Sequence, residues 1–161
     1  MTIALATGYS QSSPAKAPEP EVLGKVYLLN SATQSLSQLP EEHWKAIGKP
    51  GFVTATGFIQ VEGEHSTFRI QQGEKPQFVF NGSNADVAKL FELAVKHKKR
   101  EFAAAKVSNG FFSGKREYLD GLGLDISKYG DSSFKLVPVD PLAKGEYAIN
   151  IVGKIFTFGV D

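Results

Sequence analysis

The chain has 161 residues, 42% hydrophobic and 22% charged, a size and balance that suit one domain with a substantial core. Its 18 Lys and Arg against 17 Asp and Glu leave a net charge of +1, which excludes a global field steering it to nucleic acid or a membrane surface. No stretch approaches the roughly 18 to 20 apolar residues of a spanning helix, and the absence of Cys excludes disulfides and thiolate chemistry.

Residues 1–22 read as a disordered Pro/Ser-rich tail. Gly8, Ser10, Ser12, Ser13, Pro14, Pro18 and Pro20 cannot bury enough surface to offset ordering entropy, so a single β domain is expected over residues 23–161. Residues 3–6 (Ile-Ala-Leu-Ala) are the only apolar run there, with no basic residue before them. That falls short of a complete signal peptide and leaves two readings, a plain tail or the remnant of an export segment. Ala15-Lys16-Ala17 resembles a cleavage site, but Pro18 directly after it argues against use.

Twelve Phe and 16 Gly, among many Val, Ile and Thr, favour a β-rich class. Residues 25–29 (Lys-Val-Tyr-Leu-Leu) make a first strand, and the alternating residues 35–39 pair back on it as a hairpin. Residues 40–47, which carry the chain's single Trp, are expected as one helical turn or a loop. Residues 52–61 form a long strand with a bulge at Gly57, turned by Glu62 and Gly63. Residues 66–70 and 77–80 are further short strands.

Residues 88–107 admit two readings. Asn84 as N-cap with Val87, Leu90, Phe91, Ala94 and Val95 describes an amphipathic helix. Alternation of Phe91, Leu93 and Val95 against Glu92, Ala94 and Lys96 describes a hairpin with its tip at residues 97–99. The hairpin is preferred, because the strands on both sides need partners.

Residues 108–123 form a glycine-rich loop anchored by Phe111, Phe112 and Tyr118, followed by a short edge strand at residues 124–126 and a strand at 134–139 ended by Pro138 and Pro141. In the closing hairpin, Tyr147, Ile149 and Ile151 share one face and Ala148 and Asn150 the other. Ile155, Thr157 and Gly159 likewise alternate against Phe156, Phe158 and Val160, across a turn at Val152 and Gly153. Leu142, Gly145 and Tyr147, leading into this hairpin, resemble the tyrosine corner of immunoglobulin-like sandwiches, in which the Tyr hydroxyl bonds back to upstream backbone.

Residues 25–29, Ser66 with Arg69 and Ile70, residues 141–148 (Pro-Leu-Ala-Lys-Gly-Glu-Tyr-Ala) and residues 156–161 (Phe-Thr-Phe-Gly-Val-Asp) together carry a resemblance. The chain from residue 22 onward is similar to a family of short, functionally uncharacterised bacterial β-sandwich proteins, often exported. That resemblance implies a periplasmic or extracellular setting, with the cytoplasm left open, and brings no catalytic residue with it.

Enzyme signatures are missing: there is no Gly-x-Ser-x-Gly elbow, phosphate-binding glycine loop or His-Glu-x-x-His. His43, His65 and His97 lie far apart, and Glu62, Glu64 and His65 are too few for a metal site unless other ligands converge. Asp120, Asp125 and Asp131 are too dispersed for a calcium loop. The run from Lys96 to Arg100 is the one concentrated charge. It reads mainly as a solvated hairpin tip guarding an edge, and secondarily as an anion contact through Lys98, Lys99 and Arg100. Phe111, Phe112 and Tyr118 read as a loop's own small core or as an exposed aromatic platform.

The expected protein is therefore an all-β, immunoglobulin-like sandwich with an added N-terminal hairpin. It is expected to act without a cofactor, metal or catalytic set, as an interaction module for a protein or cell-envelope component. The alternative is a small-ligand or carbohydrate-binding accessory domain using the loop at residues 110–120.

Overall fold

The computed structural model describes residues 18–51, 54–73, 75–108 and 115–161. Among these the chain forms β1 (Val26–Asn30), β2 (Ser35–Gln38), β3 (Glu41–Glu42), β4 (Trp44–Lys49), β5 (Thr54–Glu62), β6 (Arg69–Ile70) and β7 (Phe78–Asn81). It continues with β8 (Lys89–Lys96), β9 (Lys99–Ser108), β10 (Lys115–Tyr118), β11 (Leu124–Tyr129), β12 (Ser133–Pro138), β13 (Gly145–Ile151) and β14 (Lys154–Val160). A single 3-10 turn at Ala85–Val87 precedes β8. The fold is all-β, as expected.

Two sheets pack together. The smaller has the order β11-β12-β7-β1-β2, with the expected N-terminal hairpin β1–β2 at one edge. The larger runs β3-β14-β13-β8-β9-β5-β4, with β10 added to β9 and β6 added in parallel to β14. Its two end strands, β3 and β4, are consecutive pieces of chain split only at His43, so this sheet curls round on itself.

The closing hairpin holds the two layers together because both of its faces are apolar. Tyr147 pairs with Phe158 and Ile149 with Phe156, and these side chains join Val26, Phe78, Phe80 and Leu136 in the core between the sheets. The opposite face gives Ala148 and Ile155 to a second cluster inside the curl, with Val61, Phe91, Leu93 and Phe102. The Phe91 and Phe102 rings stack there with centroids 4.2 Å apart. Full burial of such a side chain contributes roughly 1.5 to 3 kcal/mol, so this one hairpin feeds two cores.

Residues 88–107 fold as the hairpin β8–β9, with His97 and Lys98 at φ 50° and 62° in its tight turn. The bulge expected at Gly57 is present as a register shift between Gly57 and Phe58. β8 and β9 pair only near their tip, and residues 119–122 close the gap that opens between them. The Leu119 amide donates to the Ala104 carbonyl and the Leu122 amide to the Leu90 carbonyl. Gly121 permits this stitch: its φ is +76°, and a Cβ there would strike the Leu90 carbonyl oxygen.

Two expectations are corrected. Residues 40–47 contain no helical turn but the strand β3 and the first part of β4, because the curled sheet needs a closing segment that bonds to both β14 and β5. Of residues 66–70 only Arg69–Ile70 is strand, since the Ser66 amide donates to Glu146 and the Phe68 amide to Ser66 Oγ rather than to a ladder partner. The chain also engages the domain before residue 23. The Glu19 carboxylate accepts from the Asp131 and Ser132 amides at 2.6 and 3.0 Å and from the Ser132 and Ser133 hydroxyls. The Pro20 carbonyl accepts from Asn81 Nδ2. Residues 1–17 of the expected tail lie outside the described residues.

Candidate functional site

One end of the curl is open and apolar. A groove of about 410 Å³ is lined by Ile59, Phe91, Ala104, Tyr118, Val152 and Asn150, among others. Period-2 alternation accounts for this set: Ile59, Phe91 and Ala104 sit on the inward face of β5, β8 and β9, where Ile59 and Ala104 pack against the cluster that holds the stacked Phe91 and Phe102. The rim is apolar but solvent-facing, with Tyr118 66% exposed, Val152 65% exposed and Val87 also exposed. Trp44 reaches the same rim, its Nε1 donating to the Gly153 carbonyl at 2.8 Å. Lys89 Nζ bonds the Leu119 carbonyl and the Asp120 carboxylate, fixing the segment that carries Tyr118.

Val152 is unusual. It occupies a two-residue hairpin turn with φ +51°, followed by Gly153 at +78°. Such a turn favours Asn or Asp at its first position, and a β-branched residue there is a steric outlier.

The other end of the curl is closed by buried charge. Arg100, 1% exposed, donates from Nε to the Gly63 carbonyl, from Nη1 to Thr157 Oγ1 and from Nη2 to the Glu62 carbonyl and Glu42 Oε1, all at 3.1 to 3.2 Å. Thr157 Oγ1 donates to Glu42 at 2.9 Å. Glu146, 4% exposed, accepts from the Ser66 amide at 2.7 Å and from Arg69 Nη1. Its Oε1 lies 3.3 Å from His65 Nδ1. Arg69 also forks onto Asp161 through Nη2 and Nε at 2.5 and 3.2 Å, and the pair holds the Asp161 carboxyl below its usual range. The guanidinium lies over Gly159, where a Cβ would collide with it.

This buried network changes the reading of the basic run. Arg100 is not an exposed anion contact: with Phe102 it points into the curl, and all its donors face protein oxygens. Lys99 lies 3.3 Å from Glu62, and Lys96 lies 3.5 Å from Glu101. Both carboxylates are held below their ordinary range, Glu62 chiefly by Lys45 and Lys99 and Glu101 chiefly by Lys49. Lys98 projects from the turn. The hairpin tip is thus laced with opposite charges rather than uniformly basic.

Tyr147 is buried, its hydroxyl donates to the Ala143 carbonyl at 2.8 Å, and its ring stacks on Phe158 with centroids 5.5 Å apart. Burial, followed by the nearby Glu92 carboxylate, raises its hydroxyl above the ordinary range. Leu142 joins the same core, and Gly145 opens β13.

Of the aromatic platform, Tyr118 lies at the open end of the curl, while Phe111 and Phe112 fall outside the described residues. The sequence reading missed Trp44, Val87 and Val152 as companions of Tyr118. The signal available for Val152 was a Val-Gly turn where Asn-Gly would be ordinary. Among the described residues, no three His, Asp or Glu side chains group to hold a metal, and no helix is long and apolar enough to cross a membrane. Compared with known proteins, the chain matches no family model, no curated protein and no solved structure.

Proposed function

We propose that the protein is a non-enzymatic interaction module that recognises a protein or cell-envelope component through the open, apolar end of its curled sheet. The observation that carries this reading is Val152, an exposed β-branched residue in a left-handed turn at the rim of the groove. Strained backbone of this kind costs on the order of 1 to 3 kcal/mol. An apolar side chain held there in solvent adds nothing to the core, so contact with something outside the molecule is the reason we give for it. Tyr118, Val87 and Trp44 around the same rim supply the aromatic and aliphatic anchors common in recognition surfaces.

A small-ligand reading shares the same groove and draws on the exposed Tyr118 ring. The exposed side chains of Tyr118, Val152 and Val87 around the groove favour the macromolecular partner. The setting we attach, the bacterial envelope or the space outside the cell, rests on the resemblance carried by the C-terminal motif.

The test is binding of the labelled full chain to envelope and secreted-protein fractions of the producing cells. Tyr118→Asp combined with Val87→Asp should melt like the parent and lose most of the binding, whereas Lys98→Gln combined with Lys99→Gln should keep it. Equal binding by the parent and the rim variant would overturn the proposal.

A further inference from the structure

β11 is an edge strand of the smaller sheet, paired only with β12. The Val139 amide donates to the Gly123 carbonyl, which makes Gly123 and Val139 a hydrogen-bonded pair of this ladder. Antiparallel pairs alternate, so Asp125, Ser127 and Tyr129 turn their backbone groups to β12, while Leu124, Ile126 and Lys128 turn theirs outward. Pro138, which has no N–H, sits opposite Leu124 and fits that assignment. Beside this edge runs a groove lined by Ala85, Asp86, Leu124, Ile126, Lys128 and Phe134, among others, with Asp125 and Ser127 of the same strand also bordering it.

We propose that β11 pairs antiparallel with β11 of a second copy of this chain, about a two-fold axis through Ile126. The outward backbone groups fix the register. Ile126 bonds Ile126 of the second copy, and Leu124 bonds Lys128 of the second copy, so directly opposed side chains share a face. On the other face Asp125 then stands opposite Ser127 of the second copy. Within each chain Ser127 is flanked by Lys135 on β12.

The Lys135 ammonium of one copy therefore reaches over Ser127 to the Asp125 carboxylate of the other, two strand spacings or about 10 Å away at the backbone. The axis repeats this contact, giving two matching ion pairs and no like charges directly opposed. Neither Asp125 nor Lys135 has an ion-pair partner within its own chain among the described residues. On the inner face Ile126 meets its own copy, and Leu124 is covered by the aliphatic stem of Lys128 of the second copy, whose ammonium stays in solvent.

Sedimentation velocity of the full chain over a wide range of loading concentrations tests this. The parent should show a concentration-dependent monomer–dimer equilibrium. Asp125→Lys should weaken the dimer about tenfold or more, as two like-charge contacts replace two opposite ones. Asp125→Lys combined with Lys135→Asp should restore it. Lys128→Pro removes one outward N–H at a position where an edge strand tolerates proline, and should abolish the dimer with the monomer's melting transition retained.

A chain monomeric at every concentration, or a dimer that survives both Asp125→Lys and Lys128→Pro, would overturn the proposal. A dimer that the charge swap does not restore would overturn this register. Protection of the β11 amides only when another protein is added would assign the edge to that protein instead.

Discussion

Arg100 and Glu146 meet inside the curled sheet with Nη1 3.7 Å from Oε2, and neither side chain is more than a few per cent exposed. Two charges removed from water are tolerated because almost every donor and acceptor around them is matched. Arg100 faces two carbonyls, a hydroxyl and Glu42, and Glu146 faces Arg69 and the Ser66 amide. Pairs of this kind add little net stability but are expensive to break from one side.

Arg100→Met should accordingly destabilise the fold by about 3 to 5 kcal/mol, since it leaves Glu42 and Glu146 without the cation between them and the carbonyls of Glu62 and Gly63 without a donor. Urea denaturation measures this. A change below about 0.5 kcal/mol, the range of ordinary surface substitutions, would mean the guanidinium lies in solvent.

Glu19 gives the fold an acid-sensitive clamp. The amides of Asp131 and Ser132 hold its carboxyl at about 2, against an ordinary value of 4.5. A folded value below the unfolded one means the contribution is complete above pH 4.5 and fades as the pH falls towards 2. Amide shifts of Asp131 and Ser132 should therefore titrate with a midpoint near the lower figure. Glu19→Gln should lose that transition and expose the preceding chain to proteolysis further into the domain. A midpoint near 4.5 would show that the carboxylate is not clamped.

Tyr147→Phe keeps the ring against Phe158 and strands the Ala143 carbonyl, so a loss of about 1 kcal/mol is expected. Tyr147→Ala empties part of the core between the sheets and should cost about 3 to 5 kcal/mol. Chemical denaturation of both variants separates ring from hydroxyl. Equal losses would show that the hydroxyl bond, not the ring, carries the corner.

The closing hairpin was legible because alternation marks both faces. Tyr147, Ile149, Phe156 and Phe158 belong to one core and Ala148 and Ile155 to another, as their spacing implies. Residues 40–47 were not legible: Pro40 followed by two Glu reads locally as a helix start, and only β14 and β5, distant in sequence, make the segment a strand. Arg100 was hidden among lysines, although its two-residue offset from Phe102 places it on the inward face. Glu19 was hidden in a proline-rich stretch, because its partners are amides 112 and 113 residues away. The groove rim was only partly readable, since Val87, Tyr118 and Val152 come from three separate segments brought together by the curl.

The most direct measurement of the central claim is Val152→Asn. Asn accepts the left-handed turn that Val152 resists, so the substitution should raise stability by about 1 kcal/mol while removing an apolar contact from the rim. Thermal melting and binding to the producing cells' envelope or secreted fraction, read on the same preparation, should move in opposite directions, with the melting temperature up and the affinity down. A variant that melts higher and binds as well as the parent would contradict the assignment of this rim as the recognition surface.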